Sequence, residues 1–163
     1  MTGSVVQINV SPGGVPKRPV EHARITRDGV DGDGHAHPQF HGGPKQAVLW
    51  ITSEGTAELC ALGFPLYAGA LGENITTQGL DPRQIRLEQH WAIGDDLIIE
   101  ITKLRMPCKA LNVYGTGIQA SMYDALAKAG DPASPKWGLS GFYASVVYAG
   151  TVKPGDSVRL IEA

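Results

Sequence analysis

A mainly β (α+β) domain is predicted by three observations. Glycine and proline are frequent, 21 and 11 of 163 residues, and they punctuate short apolar runs instead of pooling in one linker. The runs themselves are rich in β-branched residues, with partial alternation in Leu97-Ile-Ile-Glu-Ile-Thr-Lys-Leu104. Helical periodicity is confined to two stretches.

Strands are expected at residues 5–10, 46–51, 97–104, 141–149 and 157–161, each a β-branched or aromatic run bounded by turn residues. A first helix is expected over 53–62, with Thr52 or Ser53 as N-cap and Gly63 as stop. Cys60 sits there between Leu59 and Leu62, and it reads as core. A second helix is expected over 118–129, because Ile118, Met122, Ala125, Leu126 and Ala129 share one helical face and Gly130-Asp131-Pro132 ends it. Residues 131–136 read as a surface loop.

No composition shift, repeat or low-complexity tract divides the chain, so residues 1–163 are read as a single domain, and a 42% hydrophobic fraction supplies its core. Two distant cysteines, Cys60 and Cys108, do not suggest a disulfide framework and point to a reducing compartment. No run approaches the roughly 18 to 20 apolar residues of a membrane span, and the N-terminus has no signal-like basic and apolar regions. The expectation is a cytoplasmic protein with no membrane partner. A net charge of -2 without a dense basic block argues against nucleic acid as well.

Three segments carry chemistry. In Lys103-Leu-Arg-Met-Pro-Cys-Lys109 a strand should end and present Cys108, with Arg105 and Lys109 nearby favouring the thiolate that attacks electrophiles or ligates soft metals. A buried small hydrophobe is the bland alternative. The segment from Gly29 to Lys45 packs His35, His37 and His41 with two aspartates into a glycine-rich loop. It reads as a metal site, or as an anion cradle of the open Gly42-Gly43 backbone with His41 and Lys45, or as a plain turn with solvated histidines. In Gly72-Glu73-Asn74, a carboxylate and an amide follow a glycine and are placed to bond a heterocycle's edge.

The order Gly32-Asp33-Gly34, Phe40-His41-Gly42-Gly43-Pro44, Gly72-Glu73-Asn74, Ile93-Gly94-Asp95 and Arg105-x-Pro107-Cys108 resembles the MOSC domain family, named for the C-terminal domain of molybdenum cofactor sulfurases. The chain is similar to the small standalone bacterial members. The resemblance implies a strongly bent, partly closed β-barrel with a few peripheral helices. It also implies a pterin-based molybdenum cofactor (molybdopterin), or sulfur destined for it. Cys108 takes the position that family members use as a molybdenum thiolate or a persulfide sulfur carrier. Placed on the matching motifs, His41, Lys45 and Arg105 would meet phosphate or oxo groups with the Gly42-Gly43 backbone, and Glu73 and Asn74 the pterin edge. The sequence departs from the pattern of the standalone members at His35-Ala-His37-Pro38, where polar, acidic or arginine residues are usual.

Three functions follow. The first is the molybdenum subunit of a reductase for N-hydroxylated bases or related N–O compounds, with Cys108 holding the metal and His41 supplying a proton. The chain has no visible flavin or iron–sulfur motif, so that reading requires a separate electron-transfer reductase. The second is a non-catalytic carrier of sulfur or cofactor, fed by a sulfur donor and working through a Cys108 persulfide. The third is a divalent-metal hydrolase or isomerase using His35, His37 and His41. Edge strands of a partly open barrel make a homodimer reasonable.

Overall fold

The long first strand, β1 (Thr2–Val10), organises the molecule because it has three partners. The computed structural model describes residues 1–34 and 43–162. Along the chain follow β2 (Arg18–Val20), β3 (Ala23–Thr26), β4 (Gly29–Val30), β5 (Val48–Thr52), α1 (Ser53–Ala61), β6 (Ile75–Gln78), β7 (His90–Ile93) and β8 (Leu97–Leu104). The remainder comprises α2 (Ile118–Met122), α3 (Ala125–Lys128), β9 (Phe142–Tyr148), β10 (Gly150–Val152) and β11 (Ser157–Glu162).

Strands β1, β6, β5, β9, β8, β7 and β11 follow one another around a ring, and β11 returns to β1 through Thr2↔Arg159 and Ser4↔Ser157. The result is a closed seven-stranded barrel, where the sequence suggested partial closure. All the ring pairings are antiparallel except β5 with β6, which α1 connects. Closure leaves β2, laid on the far end of β1, and a small sheet β10-β3-β4 to present edges among the described residues. The edges invoked for a dimer therefore shrink to those.

Inside the barrel the aromatic side chains interlock. Trp50 meets Trp91 edge-on at 5.1 Å between centroids, and Phe142 packs on Trp50 and Trp137. Trp50 buries its indole N–H by donating to Thr77 Oγ1 at 2.7 Å, so the polar atom carries no desolvation penalty. A second apolar cluster, Ile51, Leu59, Leu71, Leu111, Ile118, Met122 and Leu139, lies under the helices outside the ring.

Two helical expectations are corrected. The 118–129 helix is broken: Tyr123 is extended, and Asp124 restarts the chain by accepting from Ala127 N at 2.8 Å as an N-cap. Ala125, Leu126 and Ala129 are consequently exposed, while Ala127 is buried. In α1 the Thr52 cap forms as expected, accepting from Gly55 N. Its inward face, however, is Gly55, Thr56 and Leu59, and Cys60, one residue on, is turned about 100° away into solvent. The 131–136 loop does lie at the surface, apart from the buried Ser134.

Candidate functional site

Strand β8 delivers Arg105 and Cys108 to the rim of the barrel. Its ladder with β9 runs to Leu104↔Phe142, after which Arg105 N donates to Gly141 O at 2.8 Å. Pro107, with no N–H, ends the ladder, and Cys108 is extended before a 3-10 turn over Lys109–Tyr114. Cys108 is half-buried; Lys109 is exposed, and Arg105 is only 4% exposed.

Arg105 is the unusual member. Its guanidinium donates from Nη1 to Ser140 O at 3.4 Å, and it forms no ion pair with a carboxylate of any described residue. Among the described residues the charge of this buried guanidinium meets no carboxylate, and a planar, permanently charged donor of that kind suits an oxyanion.

Tyr143, on β9 opposite Lys103, joins these groups electrostatically. Burial pushes its hydroxyl up, the Arg105 charge opposes this, and the Cys108 thiolate adds to it. The Lys103 ammonium sits 5.4 Å from the centre of its ring. Lys45, exposed, lies in the 3-10 turn Pro44–Gln46, whose Lys45 carbonyl accepts from Thr102 Oγ1 at 2.5 Å. The same hydroxyl reaches Tyr143 O at 3.1 Å, so the turn that follows Gly43 is tied to both β8 and β9.

The 69–74 turn leads into β6. Gly69 has φ +92, and a Cβ there would stand 2.2 Å from Lys17 O, so a side chain is excluded by both conformation and space. Glu73 is fully buried. Thr76 Oγ1 donates to its Oε2 at 3.2 Å, whereas Oε1 makes no close hydrogen bond. Burial pushes its carboxyl up to about 7, against the backbone N–H groups of Glu73 and Gly69, the Thr76 hydroxyl and the Arg105 charge. Tyr114 donates to Ala70 O at 2.5 Å; burial raises its hydroxyl, with Tyr67 and the Glu73 charge adding to the rise.

Asn74 is used internally: Oδ1 accepts from Leu49 N at 3.0 Å, and Nδ2 donates to Asp33 Oδ2 at 2.8 Å and to Asn9 O at 3.3 Å. Asp33 also accepts from Ser11 N at 3.0 Å and pairs with the buried Lys17 at 2.5 Å. With Gly34, whose Cβ would lie 2.3 Å from Pro12 O, this pins the chain just before the histidine-rich segment. The structure thus gives Glu73 and Asn74 inward-facing surroundings and brings Arg105 and Cys108 within electrostatic reach of Tyr143. His35, His37, His41 and Gly42 lie outside the described residues. Among the described residues no group of three metal-binding side chains converges. Lys17, Tyr114, Ser140 and Tyr143 were not singled out in the sequence; a buried lysine-aspartate pair so far apart in the chain leaves no local signal.

Comparison with known proteins decides the family, since a model of the MOSC domain matches residues 37–159. The chain belongs to the MOSC domain family. It is similar to the uncharacterized protein YflK of Bacillus subtilis, 29% identical over 152 residues, which cover 91% of this chain and 63% of that protein. It is also 29% identical over 138 residues to a protein named "Reductase" from Gibberella moniliformis, with 82% of this chain and 23% of that one covered. The chain therefore spans less than two thirds of the length of these curated relatives. The crystal structure of YiiM from Geobacillus stearothermophilus superposes with a TM-score of 0.69 at 25% identity, covering 98% of this chain and 75% of that one. The MOSC barrel is thus shared across the described ring. No helix among the described residues is long and apolar enough to cross a membrane.

Proposed function

We propose that this MOSC protein binds a molybdenum-bearing pterin cofactor through Cys108 and Arg105 and serves as the molybdenum subunit of a reductase for N-hydroxylated or related N–O compounds. The observation that carries the reading is the buried Arg105 guanidinium, without a carboxylate partner among the described residues, three residues before a half-buried cysteine. The donor set fits the group: a soft thiolate suits molybdenum, and a planar, permanently charged guanidinium suits a phosphate. Lys45, exposed on the turn that follows Gly43, adds a cation, and His41 is assigned the proton-supplying role.

When bound, the cofactor supplies two-electron oxygen-atom removal. The overall change consumes two electrons and two protons for each hydroxylamine converted to amine and water. The chain's own residues hold the cofactor, neutralise its charge and deliver protons. The electrons come from a separate protein. The relative named "Reductase" supports this reading.

A second reading, the carrier role, is favoured by the exposure of Met106 and Val113, 67% and 75%, on either side of Cys108 in the chain. Apolar side chains beside a reactive thiol suit docking of a donor protein. Metal analysis separates the two. Protein produced in a host that makes the cofactor is expected to retain near-stoichiometric molybdenum through purification and to lose it in Cys108→Ala. Persulfide on Cys108 without molybdenum would establish the carrier.

A further inference from the structure

Lys103 and Arg105 leave the end of β8 on one side of the sheet. In the ladder with β9, Lys103 faces Tyr143 and Leu104 faces Phe142, and Arg105 N continues the register by donating to Gly141 O at 2.8 Å. Leu104 and Phe142 pack into the barrel core, so the residues that alternate with them, Lys103, Arg105 and Tyr143, belong to the opposite side. The side chains bear this out for the cross-strand pair: the Lys103 ammonium lies 5.4 Å from the centre of the Tyr143 ring. Tyr143 is buried and Lys103 exposed, so the ring is a floor for a flexible cation. Gly141, beside Arg105, adds no side chain there and could not, since its φ is +98 and a Cβ would stand 2.7 Å from Ile51 Cγ1.

We propose that Lys103 is the second cation of the Arg105 site, and that this pair, with Tyr143 as platform for the lysine, receives the doubly charged phosphate monoester of the pterin cofactor. The inference rests on the reading of Arg105 as the cofactor's anion receptor and adds to it a residue and a charge requirement.

The argument is one of uncancelled charge. A ring face attracts an ammonium without neutralising it, whereas a carboxylate would consume its charge. Neither Lys103 nor Arg105 pairs with a carboxylate among the described residues, and residues 101–123 contain no Asp or Glu. In a chain of net charge -2 this segment therefore carries a local positive field. The acid that precedes it on β8, Glu100, is engaged across the sheet by His90 of β7 at 3.5 Å. Two permanent positive charges on one side of a sheet favour a dianion over a monoanion, because the ligand's second charge meets a second cation instead of water alone. The two cations divide the work. Arg105, buried and held by Ser140, fixes the ligand with a planar fork, and Lys103 supplies a point charge on a long stem. Lys45 is the competing cation, since Thr102 Oγ1 fastens its turn to the same two strands.

Sulfate and methyl sulfate are the probes, because neither titrates near neutral pH and they differ by one negative charge. For the full chain purified from a host that does not make the cofactor, NMR titration is expected to show sulfate bound about 10-fold more tightly than methyl sulfate. Lys103→Gln is expected to reduce that preference to about 2-fold, and Lys103→Arg to keep it. Tyr143→Phe, which preserves the ring face, should keep the preference too, while Tyr143→Leu should lose part of it. Equal behaviour of those two variants would overturn the platform. A preference unchanged in Lys103→Gln, or lost in Lys45→Gln instead, overturns the second cation and leaves the reading of Arg105 standing. If wild type does not bind sulfate, or Arg105→Gln binds it equally well, the receptor reading itself falls and takes the second cation with it. Cofactor-loaded protein is expected not to bind sulfate at this site; equal binding by loaded and unloaded protein would overturn the assignment to the cofactor's phosphate.

Discussion

Arg105 and Ser140 hold one another twice. Ser140 Oγ donates to the Arg105 carbonyl at 2.6 Å, and Arg105 Nη1 donates to the Ser140 carbonyl at 3.4 Å. Both residues are buried, so the clasp fixes the guanidinium against the start of β9 without using a carboxylate. Ser140→Ala leaves the Arg105 carbonyl without its hydroxyl donor and is expected to cost about 1–3 kcal/mol in urea unfolding. It should also loosen sulfate binding, because the guanidinium loses its fixed backbone.

The two cysteines should part company under alkylation. Cys60 is exposed, with its sulfur 3.5 Å from Leu66 O, whereas Cys108 is half-buried. Native protein carrying the cofactor is expected to be labelled at Cys60 alone, and removal of the cofactor should add a second label at Cys108. Peptide mass spectrometry reads both. Labelling of Cys108 at equal rates with and without the cofactor would sink its role as ligand.

Glu73 gives a pH dependence whose sign is set by its elevated carboxyl. The ordinary value is 4.5 and the native value about 7, so between those pH values the native state holds a proton that the unfolded chain has released. Stability from this group is therefore highest at low pH and declines as pH rises through that window, by on the order of 3 kcal/mol. Above it both states are ionised and the decline stops. Unfolding free energies of wild type and Glu73→Gln, compared from pH 5 to pH 8, should diverge steadily in favour of the variant at the alkaline end.

Lys17 and Asp33 form a buried ion pair at 2.5 Å, and Asp33 also receives Ser11 N and Asn74 Nδ2. Removing one partner strands the other charge. Lys17→Met is expected to cost about 3–5 kcal/mol, and the double variant Lys17→Met/Asp33→Leu substantially less than the sum of the single variants. Chemical denaturation of the four proteins closes the cycle; strict additivity would show that the pair is not coupled.

Local chemistry made parts of this molecule readable. Strand β8 matches its expected bounds, Leu97 to Leu104, because a β-branched run ending at Arg-Met-Pro leaves little choice. The position of Arg105 and Cys108 just past the end of that strand was legible for the same reason, since the breaking proline lies within the same four residues. β6, four residues long and buried on three of them, was hidden because its sequence reads as the tail of the Gly-Glu-Asn turn, and only its pairing with β1 and β5 makes it a strand. Helical periodicity over 118–129 failed to register that Asp124 prefers to cap a new turn. Tyr143 escaped notice because its meaning lies in facing Lys103 across the β8–β9 ladder, a register that no single segment reveals.

The pairing of β1 with β11 also sets the order in which this protein can be completed. Thr2 finds Arg159 as its neighbour, so the ring cannot shut on a ribosome until nearly all of these residues have emerged. Until then β1 carries an unsatisfied backbone edge along its first residues, and that edge is open to any extended chain nearby. Contacts this distant in sequence also slow the search for the native ring. Closing that edge therefore depends on a contact between segments more than 150 residues apart, Thr2 with Arg159.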